Sequence, residues 1–364
     1  MTGADVLVVG AGCVGANVAY RLTERGARVT VLDAGLPGAG TSGASFAWTN
    51  SFNKTPRDYH DLNVASMEEH AALAKELGGG GWLHQDGALA WEEDAAGRAR
   101  LTAAVERLGG WGYPVEWIAA REARALEPDL RIAPAVDRVV WTPGEGYVEV
   151  VPLIAALLAE AGRRGARMRP GERVAAIERE GRRVRGIRTE RGERLAADRV
   201  VDCAGIAAGD VAGLAGLALP LGRVPGRLIY TAPVATTLRR PVHAPGGHFR
   251  PDGGGRIVLA EGAHDHAWRT DGEPWPAERS LAAMAAHLPA LAGARVEATR
   301  IGVRPMPPDE RPMVGAMPGV DGFYVVVSHS GVTLGPLWGR LAAAEILEGT
   351  LDPRLGPYRP DRFL

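Results

Sequence analysis

Residues 5–33 read DVLVVGAGCVGANVAYRLTERGARVTVLD. An apolar run, Val6 to Val9, leads into three glycines spaced G-x-G-x-x-G: Gly10, Gly12 and Gly15. Val14, Val18 and Leu22 then recur at i, i+4 and i+8, which predicts a helix, and Gly26 is placed to end it. A second apolar run, Val29 to Leu32, stops on Asp33. Each part has a physical task. Gly10 allows the tight turn, Gly12 lets backbone approach a pyrophosphate, and Gly15 lets helix and strand pack closely. The helix N-terminus offers unpaired N–H groups and a partial positive charge to the phosphates. Asp33 lies 18 residues beyond Gly15, near the ~20 expected of a carboxylate that holds a ribose hydroxyl. Strand, glycines, helix, strand and terminal acid in this order predict a dinucleotide-binding unit.

Outside this unit the composition narrows the field. At 364 residues the chain is too long for one simple core, which predicts two intimately packed domains. Hydrophobic residues make up 46% and charged residues 23%, ordinary for a globular protein. A net charge of −1 gives no broad attraction to nucleic acid or to a membrane surface. The apolar start lacks a basic leader and is broken by glycines, so it reads as a first strand rather than a signal peptide. No apolar run approaches the ~20 residues of a membrane span. Cys13 and Cys203 are the only cysteines and have no metal-like spacing. Neither a metal site nor a disulfide framework is expected, in keeping with a cytoplasmic location. Only Lys54 and Lys75 are lysines, which matters because lysine can give up its proton and arginine cannot.

Farther along, residues 34–50 are rich in glycine and small hydroxyl residues and read as a loop. A helical stretch follows at 58–77, and four glycines (78–81) mark a hinge or boundary. Segments 82–147 mix short strand and helix patterns. Pro152 opens a helix that ends near Gly165. Residues 173–205 read as a run of strands turning at Gly181, and 222–261 again reads as β. A helix is expected at 277–288. The ending reads as a loop over RPMPPDERPMVG, a strand at 324–327 and a helix from about Leu334.

Four stretches carry a resemblance to a known family. They are the N-terminal unit with TSGAS (41–45), the meander 173–205 ending in VVDCAG, HFRPDGGGRIVLAEG (248–262), and GVRPMPPDERPMVG followed by YVVVSHSGVTLGP. Together they resemble the flavin-dependent amine oxidoreductases related to D-amino-acid oxidase, glycine oxidase and monomeric sarcosine oxidase. The resemblance implies an α/β fold: a Rossmann-type, glutathione-reductase-like FAD-binding domain with an interleaved substrate domain built on a mixed antiparallel sheet. The first would draw on residues 1–80, 151–220 and 296–364, the second on 81–150 and 221–295. It further implies that Gly331, Val332, Thr333 and Leu334 bring backbone N–H groups and a helix N-terminus to the flavin ring, where a positive dipole favours the reduced state. Gly10, Gly12, Gly15, Asp33, Ala34, Thr41, Ser42, Ser45, Val174, Gly205 and Arg304 complete the expected cofactor contacts.

For the substrate, the resemblance places Arg304 over the flavin as a bidentate clamp on a carboxylate. An ion pair with Asp309 or Glu310 would be the structural use of the same guanidinium. His329 falls on the loop that passes the flavin face, and His248 takes a position where such relatives carry a tyrosine. Trp48, Thr49, Asn50 and Lys54 follow the phosphate loop toward the site. Two departures narrow the chemistry. RIGVRP has no cysteine, so FAD is expected to be non-covalent. No lysine follows Lys75, so either Lys54 takes the place of the family's oxygen-activating lysine, or a carrier other than oxygen accepts the electrons. The expected reaction is oxidation of a C–N single bond in a small amine, an amino acid or an N-substituted amino acid, by hydride transfer to flavin N5. A nicotinamide-dependent (NAD(P)) dehydrogenase and a non-catalytic flavin-holding or electron-relay subunit are the alternatives.

Overall fold

The computed structural model describes residues 3–261 and 276–363; part of the expected 221–295 segment, residues 262–275, lies outside the described residues. Its centre is a six-stranded sheet in the order Met313–Ala316, Phe323–Val327, Arg199–Asp202, Asp5–Val9, Arg28–Asp33, Arg167–Pro170. All pairs are parallel except the first, which is antiparallel. Parallel strands are covered on both faces, hence their nearly unbroken apolar runs. Alternation along the first strand shows both coverings. Val6 and Val8 face a core shared with the helices Cys13–Glu24, Val150–Arg163 and Gly331–Glu348. Leu7 and Val9 face a second core made with Val174, Ile177, Val184 and Ile187 of the antiparallel meander.

The other large sheet has eight strands, in the order Val296–Met306, Gly222–Thr231, Arg256–Ala260, Gly247–Asp252, Val242–Ala244, Ala88–Ala90, Arg138–Thr142, Glu116–Ala119. It is antiparallel except where 242–244 runs parallel to 88–90. Its own core includes Leu89, Trp91, Val139, Ile229, Phe249 and Leu259. The α/β architecture with a mixed, mainly antiparallel second sheet is as the sequence predicts.

Two helices carry the architecture to the site. Gly331, Gly335 and Gly339 recur every four residues along one face of the C-terminal helix. A Cβ on Gly339 would lie 2.7 Å from the Asn17 carbonyl oxygen, one on Gly335 2.9 Å from Asn17 Nδ2, and one on Gly331 3.2 Å from Val14. The stripe therefore seats this helix directly on the glycine-loop helix. Pro336 sits in its second turn and has no N–H for the carbonyl four residues back. That carbonyl, of Val332, lies 2.9 Å from His70 Nε2 in the helix Arg57–Glu76, and Ser66 Oγ donates to the next one at 2.7 Å.

Three local expectations change. The C-terminal helix begins at Gly331, not Leu334. The segment ending RPM is strand through Met306, paired along its length with 222–231, and Met313–Ala316 is a further strand; cross-strand partners, not local pattern, make both. The helix expected over 277–288 ends at Met284. Leu288 precedes Pro289 and is extended (φ −129°, ψ 95°), as the residue before proline prefers.

Candidate active site

Between the two large sheets lies a cleft of about 1120 Å³. That exceeds the ~300–1,000 Å³ of a pocket for one small ligand, leaving room for a dinucleotide and a substrate. Gly10, Gly12, Asp33, Ala34, Thr41, Ser42, Ser45, Val174, Gly205, Gly331, Val332 and Thr333 line it, and so do Arg304, His329, His248 and Lys54. Two of the expected cofactor residues stand outside its wall. Gly15 is buried behind the loop, where a Cβ would lie 1.9 Å from the Gly10 carbonyl oxygen; it serves the strand–helix contact. Leu334 is fully buried in the core because the helix starts three residues earlier than expected.

At one end the glycine loop is pinned from two sides. Gly10 has φ 105°, a left-handed value that glycine adopts without the side-chain clash. Asp33 Oδ2 accepts from Ala11 N at 2.7 Å while Oδ1 accepts from Gly35 N at 2.8 Å. Each oxygen keeps a lone pair for a ligand hydroxyl. Ser42 Oγ accepts from Cys13 N at 2.9 Å. Thr41 Oγ1 donates to the Val303 carbonyl at 2.6 Å, joining the small-hydroxyl loop to the strand that bears Arg304.

Beside the start of the glycine-loop helix, the C-terminal helix presents its first turn to the cleft. Leu334 N closes onto the Ser330 carbonyl at 2.9 Å, so the N–H groups of residues 331–333 precede the intrahelical ladder and are available to an anion. Ser330 enters with φ 55°, a left-handed conformation costing a non-glycine residue about 1–2 kcal/mol. Tyr59 OH donates to Ser330 Oγ at 3.1 Å and holds the turn.

The third wall is cationic. Arg304 Nε and Nη2 donate weakly to the Val224 and Pro225 carbonyls at 3.4 and 3.2 Å. This commits one edge of the guanidinium fork and leaves the other edge open. Asp309 pairs with Arg362 instead, and Glu310 lies within ion-pair distance of no described arginine or lysine. Lys54 is held on a turn whose backbone is fixed by the buried Glu145: Ser51 N and Phe52 N donate to Glu145 Oε1 at 2.8 Å each, and Tyr113 OH donates to it at 2.7 Å. Burial pushes Glu145 up to about 7. Burial pushes Lys54 down to about 8, with Arg304 lowering and Glu145 raising it. His329 is pushed down to about 3 by burial, then by Lys54 and Arg304, so it is neutral at physiological pH.

His248 brings a partner that the sequence reading missed. His243 lies directly opposite it across the turn Pro245–Gly246, and their Nδ1 atoms are 2.8 Å apart. Burial lowers both, His248 to about 4, so one neutral ring donates its Nδ1 proton to the other. The segment HAPGGH carries the signal, since a two-residue Pro-Gly turn sets its flanking residues in register. Glu145 and Tyr113 had no such signal.

The walls fit FAD. Trp48 Nε1, Asn50 Oδ1 and His243 Nε2 belong to cleft-lining residues and are buried without a partner, polar atoms that a ligand would satisfy. The glycine loop would hold the pyrophosphate, and residues 331–333 the polar edge of the ring. Among the described residues no cluster of histidine, cysteine or acidic side chains could hold a metal, and no helix is long and apolar enough to cross a membrane.

Comparison with known proteins agrees with this reading. The family model described as "DAO: FAD dependent oxidoreductase" matches residues 5–345. Glycine oxidase of Pseudomonas aeruginosa is 30% identical, over 98% of this chain and 98% of the relative. Glycine oxidase of Geobacillus kaustophilus is 29% identical, over 99% of this chain and 97% of the relative. The crystal structure of the Geobacillus kaustophilus glycine oxidase superposes with a TM-score of 0.86, at 27% identity and covering all of both chains. On this match and on the two-walled dinucleotide cleft, the chain belongs to the DAO family of FAD-dependent oxidoreductases.

Proposed function

We propose that this protein oxidises the C–N single bond of an amino acid or N-substituted amino acid to the imine, which water then hydrolyses. The observation that carries the substrate side is the open edge of the Arg304 guanidinium in the same cleft as the glycine loop. A planar fork with one free edge matches a carboxylate bidentately. Bound FAD supplies the two-electron acceptor.

The chain's own residues do the rest by placement and charge. Arg304 fixes the carboxylate and so orients the α-carbon, converting an encounter into a single geometry. The first turn of Gly331–Glu348 stabilises negative charge that develops in the cleft. Neutral His329 and His248 offer acceptor and donor nitrogens without adding positive charge beside the amine. Asn50 Oδ1, buried and unpartnered, accepts from an N–H of the substrate. Oxygen or another carrier takes up the electrons, and two buried free thiols accord with a cytoplasmic setting. The family match favours this chemistry over a nicotinamide dehydrogenase or a passive flavin-holding subunit.

Anaerobic mixing of the yellow holoenzyme with a panel of amino acids and N-alkyl amino acids should bleach the flavin colour. Failure of every such compound to bleach it would remove the proposal. Replacing Arg304 with alanine should raise KM by about 100-fold or more, the value of a charge-assisted bidentate pair. An unchanged KM would take Arg304 out of the site.

A further inference from the structure

Among the described residues, four cationic side chains line the cleft: Lys54, Arg173, Arg227 and Arg304. Arg173 pairs with Glu190 and Arg227 with Glu261. Neither Lys54 nor Arg304 has a carboxylate within ion-pair distance among the described residues. Arg304 is near enough to disfavour the charge on Lys54, and both disfavour a charge on His329. Arg304 comes from the antiparallel sheet and Lys54 from the segment after the small-hydroxyl loop. Two separate elements thus bring to one cleft cations that have no ion-paired carboxylate, the buried Glu145 acting on Lys54 from beyond ion-pair distance. Asn50 Oδ1, on the same segment as Lys54, is buried without a donor.

Holding two like charges in a partly buried site is costly unless a ligand neutralises both. One carboxylate on the Arg304 fork accounts for only one of them. We propose that the physiological substrate is an amino acid whose nitrogen bears a second carboxylate-containing arm, one carboxylate on Arg304, the other on Lys54, the secondary amine between them donating to Asn50. This rests on reading the cleft as a site of amino-acid oxidation, and it names Lys54 as the residue that selects a dicarboxylate over a monocarboxylate.

Binding can test it apart from turnover. Thiodiacetate carries two carboxylates about a sulfur and has no C–N bond to oxidise; (methylthio)acetate carries one. Calorimetric titration of the holoenzyme should show thiodiacetate binding roughly 30-fold tighter, as a second charge-assisted pair implies. In Lys54→Met that ratio should collapse to about 1, and Lys54→Arg should restore part of it. A wild-type ratio near 1 overturns the inference and needs no variant. So does an unchanged ratio in a Lys54→Met protein that retains its flavin absorbance. If Lys54→Met instead slows only the reaction of the reduced enzyme with oxygen, Lys54 serves the acceptor and the inference falls. Should amino acids bleach the flavin while the ratio is 1, only the dicarboxylate reading fails. Should thiodiacetate bind in a Lys54-dependent way while no amine bleaches it, only the oxidation reading fails.

Discussion

Arg304 and Lys54 respond differently to burial, and the difference is measurable. The guanidinium stays protonated at any accessible pH even though burial lowers its affinity for the proton. Lys54, pushed down to about 8, loses its charge as pH rises through that value. Of the groups facing it, Arg304 stays positive, His329 stays neutral, and Glu145, near 7, has ionised by then. The affinity for thiodiacetate should therefore hold up to about pH 7 and then weaken by roughly tenfold or more toward pH 9.5, as one pairing cation is lost. Titrations across that range check this; a flat profile would separate Lys54 from the ligand. The glycine loop, Asp33 and Arg304 itself were legible as residue types. That Arg304 has one free edge was not, since its other edge is spent on carbonyls of a strand 80 residues away.

Two features of the C-terminal helix decide whether residues 331–333 reach the cleft. The first is the glycine stripe against the glycine-loop helix. Gly339→Leu would force a side chain into the backbone of Asn17, which cannot move without shifting the first helix. Overpacking of this kind costs about 3 kcal/mol, and a matching fall in the chemical-denaturation midpoint with loss of bound flavin should be seen. Gly335→Ala should be milder, because its nearest neighbours are the Asn17 amide and the Cys13 thiol. The second is the repair of the proline gap. His70, pushed down to about 4 mainly by burial, is neutral and donates to the carbonyl that Pro336 leaves open. His70→Phe keeps an aromatic ring of similar breadth but strands that carbonyl, at about 1–3 kcal/mol. Unfolding by urea measures it, and a change below about 0.5 kcal/mol would show that the Val332 carbonyl finds another donor.

For the molecule as a whole, buried neutral histidines set the acid limit. His70, His248 and His329 are held at about 4, 4 and 3 in the fold, against about 6.5 in the unfolded chain. Below pH 6.5 the unfolded chain binds protons that the folded one refuses, so stability falls with acid. Glu145, raised to about 7, binds its proton more tightly when folded and returns part of this loss. The net change from pH 7 to 5 is on the order of 4 kcal/mol. Thermal unfolding should show the melting temperature dropping over that range, and a flat profile would mean these rings are hydrated. The sequence by itself determined the dinucleotide unit, the two-sheet α/β class and the flavin family. Those features rest on local periods and on glycines whose roles are steric. Only the tertiary structure decided the substrate wall. Lys54, Arg304, His329, His243 and Glu145 come from five separated segments. Their charges and proton affinities depend on which neighbours burial leaves beside them, and chain spacing carries no record of that.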